Sequence, residues 1–150
     1  MDKKDKYHQL INMANSVIIA KDPLVSKMAN LSSLIQEYFN HLWVGFYFVD
    51  KNKNELYLGP FQGALACTKI QYGKGVCGTA WAKNVILNVE DVHDFDGHIA
   101  CSTHSNSEIV VPILDKDHEV IAVLDIDSIN FNQFENIDEE NLQYLCTLLM

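Results

Sequence analysis

The chain is predicted to fold as one α+β domain, a central antiparallel sheet of about six strands with the N- and C-terminal helices packed on one side. Three observations point to it. Two segments with helical apolar spacing precede any strand, aromatic and β-branched runs joined by polar turns fill the middle, and a third amphipathic segment closes the chain. With 150 residues and 48% apolar content there is enough core for a single domain spanning 1–150, and no change in composition marks a boundary.

Residues 5 to 20 place Tyr7, Leu10, Ile11, Ala14, Val17 and Ile18 on one helical stripe. Asp22 followed by Pro23 predicts a capped start for a second helix, with Leu24, Met28, Leu31 and Ile35 facing inward. From His41 to Asp50 the residues Trp43, Gly45, Tyr47 and Val49 alternate with Val44, Phe46 and Phe48. Both faces are apolar, which predicts a central strand. The polar turn 50–54 leads into Glu55–Leu58, a hairpin, so the sheet is at least partly antiparallel. Gly59, Gly63, Gly73, Gly75 and Gly78 then punctuate a stretch able to turn tightly or approach a ligand closely. It is not a phosphate loop, because Gly73–Gly78 lacks the required spacing and preceding strand.

A short helix is expected at Thr79–Lys83 and a short strand at Val85–Val89, followed by a loop holding Asp91, Asp94, Asp96 and Gly97. Ile109–Val111 reads as a buried strand opened by Glu108. After a turn at Asp115–His118, the strand Glu119–Ser128 carries Ile121, Val123, Asp125 and Asp127 on one face. Asp138–Met150 is the closing helix, with Ile137, Leu142, Leu145, Cys146 and Leu149 on its inner stripe.

Composition excludes several functions. The net charge of -9 argues against nucleic acid, and the one cluster of cations, Lys3, Lys4 and Lys6, reads as a solvated tail. The start has no apolar core of signal-peptide length and no apolar run is long enough to span a bilayer, so the expected location is the cytoplasm, away from membranes. The four cysteines, Cys67, Cys77, Cys101 and Cys146, are widely spaced, form no CxxC pair, and are not needed as staples in a domain this size.

The chemistry centres on Cys101, set in a polar turn ahead of a rigid strand, where a reactive thiol can sit at a pocket mouth. Cys67 and Cys77 lie in glycine-rich sequence from which a partner thiol could move, whereas Cys146 falls on a helical stripe and packs inertly. Asp125 and Asp127, about 7 Å apart on a regular strand, can bind an ammonium group or share a raised pKa; the plain alternative is a frayed strand end with both solvated. Glu108 joins them only if its strand lies alongside. Trp43 and Tyr47, on one face of one strand, can wall a small pocket or simply pack. A metal site from His93, His98, Cys101, His104 and Cys77 matches no standard spacing, and a Cys-His hydrolase using Cys101 lacks a recognisable third member.

Five blocks occur in order: Gly59-Pro60-Phe61-Gln62-Gly63, Ala66-Cys67, Gly75-Val76-Cys77-Gly78, His98-Ile99-Ala100-Cys101 and Ser105-Asn106-Ser107-Glu108-Ile109-Val110-Val111-Pro112. Together they resemble the free methionine-(R)-sulfoxide reductases, a GAF-domain family. One departure is Ser102, where the family commonly has an acid. The resemblance implies a six-stranded antiparallel GAF sheet and thiol-dependent reduction of free, not peptide-bound, methionine sulfoxide. It implies Cys101 as nucleophile, Cys67 as principal resolving thiol and Cys77 as a second thiol able to join the exchange. It further implies Trp43 and Tyr47 at the methyl-sulfur end of the substrate, and Glu108, Asp125 and Asp127 on its polar groups. No bound cofactor or metal is expected; thioredoxin is the implied reductant and a homodimer the implied assembly. The rival expectation is a GAF module that binds a small ligand without turnover.

Overall fold

The structure, a computed structural model, describes residues 1–150. Its elements are α1 (Lys3–Val17), α2 (Leu24–Phe39), β1 (Trp43–Asp50), β2 (Glu55–Gln62), β3 (Lys69–Gln71), α3 (Gly75–Lys83), β4 (Leu87–Val89), β5 (Ser107–Leu114), β6 (Val120–Ser128) and α4 (Asn136–Thr147). The six strands run in the order β3-β2-β1-β6-β5-β4, with every neighbour antiparallel. The α+β expectation holds, and β1 is central as its two apolar faces require.

Alternation along the strands divides the core into two layers. Val44, Phe46, Val111, Leu124 and Ile126 point to one face, where α1, α2 and α4 cover them with Tyr7, Leu10, Met28, Leu31, Ile35 and Leu142. Trp43, Tyr47, Val110 and Val123 point to the other, where only α3 packs, through Val76 and Ala80. The lighter cover on that second face leaves room for a cavity. No helix is long and apolar enough to cross a membrane.

Several expectations are corrected in detail. Ile121 does not share a face with Val123: the β5–β6 register shifts between Ile113 and Leu114, and this irregularity puts Val120 in the second layer and Ile121 against the first. Asp22 is not the cap of α2, since Pro23 holds the cap position and its carbonyl accepts from Ser26 and Lys27 N–H. Lys3 is not part of a solvated tail. Its ammonium donates to the buried Asp138 at 2.6 Å and to Gln133 O at 2.7 Å, pinning α1 to the start of α4. Tyr7 Oη donates to the same carboxylate at 2.6 Å.

The glycine-rich stretch is more ordered than its composition predicts. It contributes β3 and a helix that starts four residues before Thr79, at Gly75. Gly78 permits this, because a Cβ there would stand 2.5 Å from the backbone oxygen of Gln71.

Candidate active site

The floor of the cavity is the exposed end of the second sheet face. In register, Trp43 of β1 lies opposite Asp127 of β6, and Asp127 opposite Glu108 of β5. Two residues further along, Gly45 faces Asp125 and Asp125 faces Val110. Antiparallel pairing therefore lines up an aromatic ring and three carboxylates from three strands. Gly45 is required here: a Cβ would stand 2.5 Å from Phe61 Cβ and would also collide with the Trp43 ring. Trp43 stacks on Phe61 and on Tyr47, giving an aromatic wall beside the acids.

Helix α3 closes one side with Gly75, Val76 and Cys77, and the loops 64–66 and 98–105 form the rim. The enclosed space is about 100 Å³. That is several waters' worth and short of a nucleotide-sized site.

Burial sets the electrostatics. Glu108 and Asp125 are each 6% exposed. Burial first, and then the charge of Asp127, pushes Glu108 up to about 8. Asp125 is raised well above the usual carboxylate range by burial and next by Glu108, and Asp127 is raised likewise by burial and Asp125. Like charges packed without solvent cannot all ionise, so the cluster retains protons at neutral pH. Asp127 Oδ1 accepts from Ser105 Oγ at 3.1 Å, whereas Asp125 Oδ1 is buried with no hydrogen-bond partner. The frayed-end alternative for this strand is ruled out, since both acids sit within the paired ladder.

Cys67 and Cys101, 34 residues apart, are joined as a disulfide at the rim, with Cα atoms 5.5 Å apart. Cys101 is exposed and Cys67 half-buried. Tyr47 Oη donates to Cys67 O at 2.9 Å and Trp43 Nε1 donates to Ala64 O at 3.1 Å, so the wall of the cavity also anchors the loop that carries Cys67. Cys77 lies elsewhere than its sequence context predicts. It sits in the first turn of α3, only 3% exposed, with Sγ 4.0 Å from Glu108 Oε2. Burial and the neighbouring acids, Asp125 foremost, push its thiol well up. Cys146 is buried in the other core layer, as expected.

The five-residue metal set from the sequence does not converge. His93 is exposed and pairs with Asp91 at 2.7 Å. The donors that do come together, all within 4.8 Å of one another, are Cys77 Sγ and carboxylate oxygens of Glu108 and Asp125. The hydrolase reading also loses its free nucleophile, because Cys101 is bonded to Cys67. Sequence reasoning missed Ser105 as the partner of Asp127, the carbonyl of Ala64 as the anchor of Trp43, and the approach of His98 Nε2 to 3.6 Å from Glu108 Oε1. Each is a long-range pairing with no local periodicity behind it.

Residues 23–150 match the GAF domain family model. A free methionine-R-sulfoxide reductase of Escherichia coli strain K12 is 44% identical over 150 residues, covering 99% of this chain and 89% of the relative. Among structures, the free methionine-R-sulfoxide reductase of Neisseria meningitidis in complex with its substrate superimposes with a TM-score of 0.95 at 45% identity, covering 99% of this chain and 89% of that one. The reduced form of the Staphylococcus aureus protein gives a TM-score of 0.89 at 43% identity, covering 95% of this chain and 92% of that one. With the disulfide at the rim, the aromatic wall and the buried acids already in place, these likenesses over nearly the full length show that the chain belongs to the free methionine-(R)-sulfoxide reductases, a family built on the GAF domain.

Proposed function

We propose that this protein reduces free L-methionine-(R)-sulfoxide to L-methionine, with thioredoxin as the external dithiol and no bound cofactor. The observation that carries the reading is the disulfide between Cys67 and Cys101 at the mouth of a cavity floored by two buried acids, Glu108 and Asp125, and the half-buried Asp127. In the reduced enzyme the Cys101 thiolate attacks the sulfoxide sulfur while a carboxyl of the cluster gives its proton to the oxygen. Glu108, held up to about 8, carries such a proton at neutral pH.

The methionine S–O bond then breaks as the protonated oxygen passes to the Cys101 sulfur and the transient bond between the two sulfurs is released. Methionine leaves with two more electrons at sulfur, and Cys101, two electrons poorer, is left as a sulfenic acid. The Cys67 thiol attacks that sulfur; the new S–S bond replaces S–O, and the oxygen departs as water with the thiol and sulfenic protons. Exchange with an external dithiol then restores both thiols.

Trp43 and Tyr47 hold the methyl-sulfur end by apolar and sulfur–aromatic contact. Glu108 meets the sulfoxide oxygen, and Asp125 and Asp127 take the ammonium, a group that a residue within a peptide does not have. Cys77 joins the exchange only if the first turn of α3 moves, since its thiol is buried against Glu108 in the cavity lining and raised. The cycle requires a reducing compartment, which we take to be the cytoplasm, and we expect a homodimer; light scattering that returns a monomer mass would remove the latter.

The test is a thioredoxin-coupled assay on the two separated sulfoxide diastereomers of the free amino acid and on a peptide carrying methionine sulfoxide. Turnover of the free R form alone, lost in Cys101→Ser, is the expected result. Binding of the sulfoxide without turnover would instead establish the ligand-binding module.

A further inference from the structure

We propose that the floor of the cavity is also a site for a thiophilic divalent cation, zinc or cadmium, held by Cys77 Sγ and carboxylate oxygens of Glu108 and Asp125. Cation and amino-acid substrate then exclude one another; only this second half rests on the reductase reading. The three donors come from α3, β5 and β6 and already lie within 4.8 Å of one another. Tetrahedral zinc, with sulfur at about 2.3 Å and oxygen at about 2.0–2.2 Å, needs them about 3.5 Å apart, a contraction of about an ångström.

Four further observations favour a cation. Asp125 Oδ1 is buried in the cavity lining and meets no hydrogen-bond donor within bonding geometry. Glu108 turns Oε2 toward Cys77 at 4.0 Å and Oε1 toward His98 Nε2 at 3.6 Å, so a small contraction of the site would make His98 the outer partner that metal-binding carboxylates commonly have. Asp127 is left out, its Oδ1 engaged by Ser105. All three donors line the cavity, so an ion that enters it meets the three together.

One thiolate among carboxylates selects a borderline or soft ion over magnesium or calcium. Binding displaces the thiol proton and whatever protons the acids hold, and no oxidant or reductant is consumed. Two of these ligands are acids proposed to act on the substrate, Asp125 on its ammonium and Glu108 on its sulfoxide oxygen, so occupancy by the ion blocks the substrate directly.

The experiment titrates cadmium into the oxidised protein, where Cys67 and Cys101 are locked together, and follows the ultraviolet thiolate-to-cadmium charge-transfer band. One equivalent should bind with the band present; Cys77→Ala should abolish it and Cys146→Ala should keep it. His98→Gln, which removes only the outer partner, should weaken binding about tenfold. Methionine sulfoxide should displace the ion where the same concentration of glycine does not.

Absence of the band, or a band that persists in Cys77→Ala, overturns the site. A Cys77-dependent band that survives saturating methionine sulfoxide, in a protein that reduces it, overturns the exclusion. The same band in a protein without reductase activity leaves the cation site standing and removes the reductase reading.

Discussion

Glu108→Gln keeps the shape of the side chain and deletes its titration. In the folded chain burial, and next Asp127, raise Glu108 from its ordinary 4.5 to about 8; the unfolded chain has the ordinary value. Below pH 4.5 both states hold the proton and nothing is lost. Between 4.5 and about 8 only the folded state keeps it, so the unfolded state binds fewer protons and stability falls by about 1.4 kcal/mol per pH unit. The loss is complete above about 8, at about 5 kcal/mol, a ceiling because Asp125 and Asp127 draw on the same protons.

The glutamine variant lacks this slope. Its unfolding free energy should therefore gain on the parent by up to about 4 kcal/mol between pH 5 and pH 8. Guanidinium denaturation under oxidising conditions, which hold the disulfide constant, measures the difference. Parallel pH dependences for parent and variant would refute the burial argument. If Glu108 is the proton donor, the same variant in the coupled assay should lose about 10²–10⁴-fold in turnover.

Cys67→Ser should release one equivalent of methionine per chain and then stop cycling with thioredoxin; cycling at the parent rate would make Cys77 the resolving thiol. Tyr47→Phe deletes the hydrogen bond to Cys67 O, so it should cost about 1 kcal/mol of stability and slow disulfide closure, read as the rate of thiol loss after addition of sulfoxide. Asp138→Ala strips the partner from Lys3 and Tyr7 and the cap from α4, and an unfolding free energy lower by about 3 kcal/mol, read from denaturant titration, is expected with activity per folded molecule unchanged. Gly78→Ala forces a Cβ against Gln71 O and should destabilise by about 1–3 kcal/mol, seen as a lower melting temperature.

The two faces of β1 and the apolar stripes of α1, α2 and α4 were legible because periods of two and 3.6 residues are local, and the stripes end up in the core layer they predict except for Val17, which the last turn of α1 leaves exposed. Asp125 and Asp127 could be placed on one face for the same reason. What the alternation could not supply was Glu108 beside them, which depends on the β5–β6 register across a turn and an irregular step. Composition misled at Gly75–Gly78, where glycine serves close packing between helix and strand more than freedom of movement. It misled again at Lys3, whose partner, Asp138, lies 135 residues away.

By itself, then, the sequence determined the class of fold, the central strand and, through its five ordered blocks, the family. Only the tertiary structure decided that Cys101 meets Cys67 at the rim while Cys77 is buried against Glu108 in the cavity lining, and that three carboxylates share one largely buried floor. Local patterns say which way a side chain points. How close two distant side chains come, and how much water remains between them, is set by strand register and by what packs on the sheet, and thiol exchange and carboxyl pKa values depend on those distances and that dryness.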